Sequence, residues 1–186
     1  MLVLPMDIKA ALLKEHSKKQ TSSLVSYIGN NKERFAILIE VLFANEPVLA
    51  QRAAWVMRYC AETNPTLIKK YVPRLIKNLS TLNLHDAIKR NTLRCFMFTK
   101  VPESILGMLA DYCFKIVYND SEAIAIRVYA IYNLLEICHL YKELGEELIP
   151  LLQLLKDDES PAMRLCAKKG IAQLIPKEKV LPRQKR

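Results

Sequence analysis

The residues best suited to grip another molecule fall within two short stretches. Trp55, the single tryptophan, has Gln51 four positions before it and Arg58 three after it, so a helix would place all three on one side. Lys89, Asn91 and Arg94 form a similar polar group 30–40 residues later. Tryptophan and arginine dominate binding hot spots, and a tryptophan among arginines can also stack an unpaired base while the guanidinium groups take phosphate. The same pattern also fits a core tryptophan with Arg58 and Arg94 reaching solvent or ion pairs. A second basic stripe, Lys69, Lys70, Arg74 and Lys77, suits a solvated helix face.

Groups for bond-making chemistry are sparse. No GxxxxGK[ST] or GxGxxG cradle for phosphate and no GxSxG elbow occurs. Glu143, Glu146 and Glu147 share a helical face, and Asp157-Asp158-Glu159 occupies an expected turn; both suit solubility and helix capping. His16, His85 and His139 are scattered without a ligand-like neighbour, so neither metal nor cofactor is expected. Cys60, Cys95, Cys113, Cys138 and Cys166 are odd in number and include no CxxC; each lies in an apolar helical stretch, as reduced structural thiols do. No enzymatic activity is therefore expected.

Those groups must be positioned by helices. Apolar residues recur every three or four positions throughout, and no run alternates with period two. The chain of 186 residues, 51% hydrophobic with only 4 glycines, is long enough for one domain with a sizeable core. No stretch is long and uncharged enough to span a bilayer. Asp7 and Lys9 interrupt the opening Met-Leu-Val-Leu-Pro too soon for a signal-peptide core, so a cytoplasmic location is expected.

The strongest signal is a repeat. Arg52, Arg90, Arg127 and Arg164 are separated by 38, 37 and 37 residues. Seven positions before each stands Asn45, Asn83, Asp120 or Asp157. Each period reads as two helices: 35–43 with 47–62, 65–79 with 85–99, 103–118 with 122–140, and 143–155 with 161–175. Pro47, Pro65, Pro102 and Pro161 fall at expected helix starts, where a missing N–H costs nothing. Asn64 and Ser160 read as N-caps, and Asn30 with Glu33 as a capping box. Pro73 and Pro150 fall inside first helices and predict kinks.

In period, proline placement and the recurring Asp/Asn-then-Arg pattern, residues 31–175 resemble HEAT repeats. The resemblance implies an all-α, right-handed α-α superhelix of about four helix pairs, with repeats over about 31–63, 64–101, 102–140 and 141–176. Residues 5–30 would add one or two capping helices, completing a single domain over 1–176, and 177–186 would be a flexible basic tail. It also implies that the four arginines and their turn residues form a structural ladder between repeats. A narrower likeness, carried by Arg34-Phe35, Gln51-Arg52-Ala53-Ala54-Trp55, Lys89-Arg90-Asn91-Thr92-Leu93-Arg94 and Ala110-Asp111-Tyr112-Cys113-Phe114, is to short bacterial HEAT-like proteins of unassigned activity. Some of these bear the label adenylosuccinate lyase. Lyases of that superfamily are more than twice as long and carry a Ser-Ser-x-Met-Pro-x-Lys-x-Asn loop, whereas Ser22-Ser23 is followed here by Leu24-Val25-Ser26.

The function expected of such a fold is non-catalytic binding of a protein or peptide on a concave face lined by second helices. Positions one before, six after and ten after each repeat arginine support a site in the first half. They are Gln51, Arg58, Glu62, then Lys89, Phe96, Lys100 in pairs one and two, against Ile126, Asn133, Ile137, then Met163, Gly170, Leu174 in pairs three and four. The alternative is nucleic-acid binding, akin in fold to DNA alkylation repair glycosylases. The net charge of +9, with six basic and two acidic residues over 41–80 and five basic and one acidic over 177–186, favours it. Residues 121–160, with three basic and eight acidic groups, do not. A glycosylase would also need a carboxylate beside the aromatic groups, for which Glu62 and Asp86 are the candidates.

Overall fold

A computed structural model describes residues 6–44 and 46–175. Among them lie ten α-helices and no strand. In chain order they are α1 (Ile8–Lys14), α2 (Lys18–Ile28), α3 (Lys32–Leu42), α4 (Pro47–Thr63), α5 (Val72–Leu79), α6 (Asp86–Phe96), α7 (Glu103–Tyr118), α8 (Ile124–Leu140), α9 (Leu144–Leu155) and α10 (Pro161–Leu174). Asn45 and residues 1–5 and 176–186 lie outside the described residues, and with them the expected tail and one turn residue of the ladder.

The helices pack as consecutive pairs, and the second helix of each pair stacks on the next: α2 on α4, α4 on α6, α6 on α8, α8 on α10. The result is an all-α solenoid. α1 and α2 form a further pair at the N-terminal end, with α2 stacking on α4 as α4 does on α6. One continuous apolar layer runs between the rows, from Ile8 through Phe35, Met57, Leu93 and Ile131 to Ala167, and it also holds all five cysteines. Burial of that many Leu, Ile and Val side chains, about 1.5–3 kcal/mol each, stabilises helices several of which are too short to persist alone.

Local chemistry sets the helix ends. Asp7, Ser17, Asn31, His85 and Ser160 cap α1, α2, α3, α6 and α10 by accepting from backbone N–H groups of the first turn. Pro47 and Pro161 sit in the first turns of α4 and α10. Gly29 ends α2 with φ of +47°, where its own N–H donates to the Val25 carbonyl.

Several local expectations are corrected. Asn31, not Asn30, caps α3; Asn30 Oδ1 instead accepts from Asn64 Nδ2 at 2.7 Å, tying the turns of neighbouring pairs. Asn64 ends α4 rather than starting a helix, and its Oδ1 accepts from the Thr66 hydroxyl at 2.6 Å. Pro150 lies inside α9. Pro73 does not: a short 3₁₀ turn, Lys69–Tyr71, precedes it and α5 starts at Val72, so the missing N–H falls in a first turn and costs little.

The arginine ladder is not uniform. Arg127 is buried, donating to Asp120 Oδ1 at 2.8 Å and to the Val117 carbonyl at 3.0 Å. Arg164 donates to the carbonyls of Asp158 and Glu159 at 2.7 and 2.8 Å, and Asp157 stays exposed. Arg52 donates to the carbonyls of Leu12 and Leu13 at 2.7 and 3.1 Å, closing the C-terminal end of α1. Arg90 is exposed without a hydrogen bond among the described residues. Asn83 serves the backbone instead, holding φ of +58° in the turn before α6, a conformation asparagine tolerates. Arg52, Arg127 and Arg164 share one device, an arginine closing orphan carbonyls at a turn or helix end, and among the described residues no chain of side-chain pairs links the repeats through these arginines.

Candidate functional site

The row of second helices brings part of the expected group together. Trp55 on α4 is half-buried, with the His16 ring edge-on at 5.0 Å and the Tyr59 ring at 6.3 Å. The Arg58 guanidinium lies 3.3 Å from the centre of the Tyr59 ring, and its Nη1 donates to Glu62 Oε2 at 2.6 Å. On α6 the Arg94 guanidinium faces the Tyr129 ring of α8 at 5.7 Å, and Tyr132 follows at 6.4 Å. α4 packs on α6 and α6 on α8, so the two groups lie on one row of helices. The result is a band of rings alternating with guanidinium groups across three helices.

Two of the six expected residues are corrected. Asn91 is only 5% exposed and donates to the Ala87 carbonyl of its own helix at 2.7 Å, so it belongs to the packing. Arg58 is 4% exposed; its charge is held inward by Glu62 and Tyr59 rather than offered to solvent. Lys89 is engaged as well: its ammonium donates to Glu122 Oε2 at 2.8 Å, and Asp86 stands at 3.9 Å. Gln51 lies half-buried on the Trp55 side of α4. Of the three expected cations Arg58, Lys89 and Arg94, only Arg94 forms no hydrogen bond or ion pair among the described residues, and it is half-exposed. The wider difference expected between first and second halves holds unevenly, because Phe96 and Arg58 are as covered as their counterparts Asn133 and Gly170.

Tyr59, Tyr129 and Tyr132 belong to the band and were not singled out from the sequence. Tyr59 follows Trp55 by four positions, a same-face spacing that could have found it. Tyr129 and Tyr132 sit at different offsets from their repeat arginine, so the repeat alignment hides them.

Bond-making groups stay dispersed. Burial pushes the Cys60 thiol up to about 12 and the Cys138 and Cys166 thiols to about 11, while Cys95 and Cys113 are driven still higher. Such thiols are poor nucleophiles. Glu143, Glu146 and Glu147 are all exposed at the start of α9. Among the described residues no cluster of three His, Cys, Asp or Glu could hold a metal ion, and no helix is long and apolar enough to cross a membrane. Arg74 of the second basic stripe donates to Glu40 at 2.9 Å and lies over the Phe43 ring, tying α5 to α3 on the first-helix side.

The paired helices and the stacked row of second helices define an α-solenoid. The HEAT repeat domain family matches residues 8–175, and the chain belongs to that family. Neither a curated protein nor a solved structure matches it.

Proposed function

We propose that the chain is a non-catalytic scaffold that binds an extended protein segment along its second-helix face. The observation that carries this reading is the band from Trp55 and Tyr59 through Arg94 to Tyr129 and Tyr132. Rings on a rigid helical row offer large contact area at little entropy cost, and Arg94 is a cation left to meet a carboxylate or carbonyl of the partner. The test is selection of a random peptide library on the immobilised full chain, followed by titration of enriched peptides through Trp55 fluorescence. Arg94→Ala with Tyr129→Ala is expected to weaken enriched peptides tenfold or more, about 1.4 kcal/mol or above. Enriched peptides that ignore both changes would place the binding surface elsewhere.

Nucleic-acid binding is the second reading, supported by the same rings and by the net charge of +9. It would be binding without base removal. Of the two carboxylates near the band, Glu62 is paired with Arg58 at 2.6 Å, and Asp86 lies beside the Lys89 ammonium. Anisotropy of labelled single-stranded oligonucleotides at low and physiological salt separates the readings: a steep loss with salt favours nucleic acid, and absent or salt-independent binding favours the peptide. Incubation of the purified chain with adenylosuccinate is expected to give no turnover at an ordinary enzymatic rate.

A further inference from the structure

The turns that join first to second helices lie along one edge of the solenoid, and in the last two pairs these turns are acidic. Between the third and fourth of the arginine-bearing pairs this edge opens into a groove of about 820 Å³ lined by Tyr118, Ile124, Leu154, Asp120, Asp158 and Glu159. Its apolar walls are open to solvent: Leu154 is 77% exposed and Tyr118 56%. Its one basic lining residue, Arg127, is paired with Asp120, which leaves Asp158 and Glu159 as the acids of the groove. Arg164 donates to their backbone carbonyls and pairs with neither carboxylate, and Lys156 in the adjoining turn is offset by Asp157. An acidic, apolar groove in a chain of net charge +9 calls for a ligand with the opposite pattern.

Residues 177–186, Lys-Glu-Lys-Val-Leu-Pro-Arg-Gln-Lys-Arg, have that pattern, with Val180, Leu181 and Pro182 set between basic residues. We propose that the groove docks this segment of the same chain. α10 begins at the groove, beside Ser160, and its 14 residues carry the chain about 21 Å away. The eight residues 176–183, extended, reach at most about 26–29 Å, enough to return along α10 and bring Leu181 to Arg183 level with Leu154 and Glu159. Leu181 meets the apolar wall and the following basic residues meet the acids. The proposal does not depend on the second-helix band.

Nitroxide labelling of a Gln184→Cys variant of the full chain tests it. The five natural thiols are buried, so the label enters at the new position. The expected result is loss of amide signal at Tyr118, Ile124, Leu154 and Glu159, with Trp55 unaffected. Leu154→Ser with Glu159→Lys should restore those signals, as should high salt. Both positions are exposed, and an otherwise unchanged amide spectrum confirms that this variant is folded. The proposal is overturned if the groove amides keep their intensity, or if the loss survives in the groove variant. It is equally overturned if the loss arises only when a labelled chain is mixed with an unlabelled, isotope-enriched one, which would assign the groove to a second copy.

Discussion

The pair formed by α5 and α6 and the pair formed by α7 and α8 solve one packing problem with different means. The latter has helices of 16 and 17 residues, a buried arginine that closes its turn, and an asparagine, Asn133, that donates to the Leu93 carbonyl of α6 at 3.0 Å. The former has helices of 8 and 11 residues, a 3₁₀ lead-in, an exposed Arg90 and a turn whose Leu82 is 86% exposed. Both nonetheless contribute fully buried residues to one core, Leu75 and Leu93 in the one, Ile131 and Leu134 in the other. The difference therefore lies in the turns, in helix length and in how extensively the two helices of each pair pack together, not in whether they reach the core. A shorter α6, its turn arginine not engaged, leaves Arg94 open toward the ring of Tyr129.

The comparison breaks first if the cores differ. Leu93→Ala and Ile131→Ala are both expected to cost about 2–5 kcal/mol in denaturant unfolding. A much smaller cost for Leu93→Ala would show that α6 is loosely packed. Next, Arg127→Ala should lose about 1–3 kcal/mol, because the Val117 carbonyl is left without its buried partner. Arg90→Ala should stay within about 0.5 kcal/mol, as for an exposed side chain without a partner. Equal effects of the two would restore a uniform ladder.

A smaller effect should follow from Gly107→Ala in α7. A Cβ there meets nothing within 4 Å, so the change is expected to raise stability by about 0.5–1 kcal/mol. A last effect is on pH. The thiols keep their protons in the folded chain well above their ordinary value of 9.0, whereas the unfolded chain releases them near it. Above that pH the unfolded state binds fewer protons than the folded one, so stability should fall as pH rises and be full below it. Melting across that range, compared with a Cys60→Ala variant, measures the contribution.

Much of the fold could be read from the residues. The spacing of four arginines gave the repeat, and the 3.6-residue periodicity gave the pairs, because both follow from stacking identical units around one apolar layer. What escaped was set by local competition. Asn31 and Asn30 are adjacent, and only the turn geometry decides which caps α3. Pro73 fits a helix start as well as a kink, and the 3₁₀ turn before it depends on packing against neighbours. For the candidate site, the sequence put Trp55 and Arg94 forward but could not tell which cations would be neutralised. Arg58 turns inward to Glu62, and Lys89 reaches Glu122 across 33 positions. Such pairings are tertiary, and so is the approach of Tyr129 to Arg94.

The most direct measurement is the titration of library-selected peptides through Trp55 fluorescence on three proteins: the native chain, the Arg94→Ala/Tyr129→Ala variant and the Leu154→Ser/Glu159→Lys variant. Binding by the native chain, weakened tenfold or more by the first variant and untouched by the second, is the predicted result. Peptides that bind the Arg94→Ala/Tyr129→Ala variant as tightly as the native chain would contradict a binding face on the second-helix row.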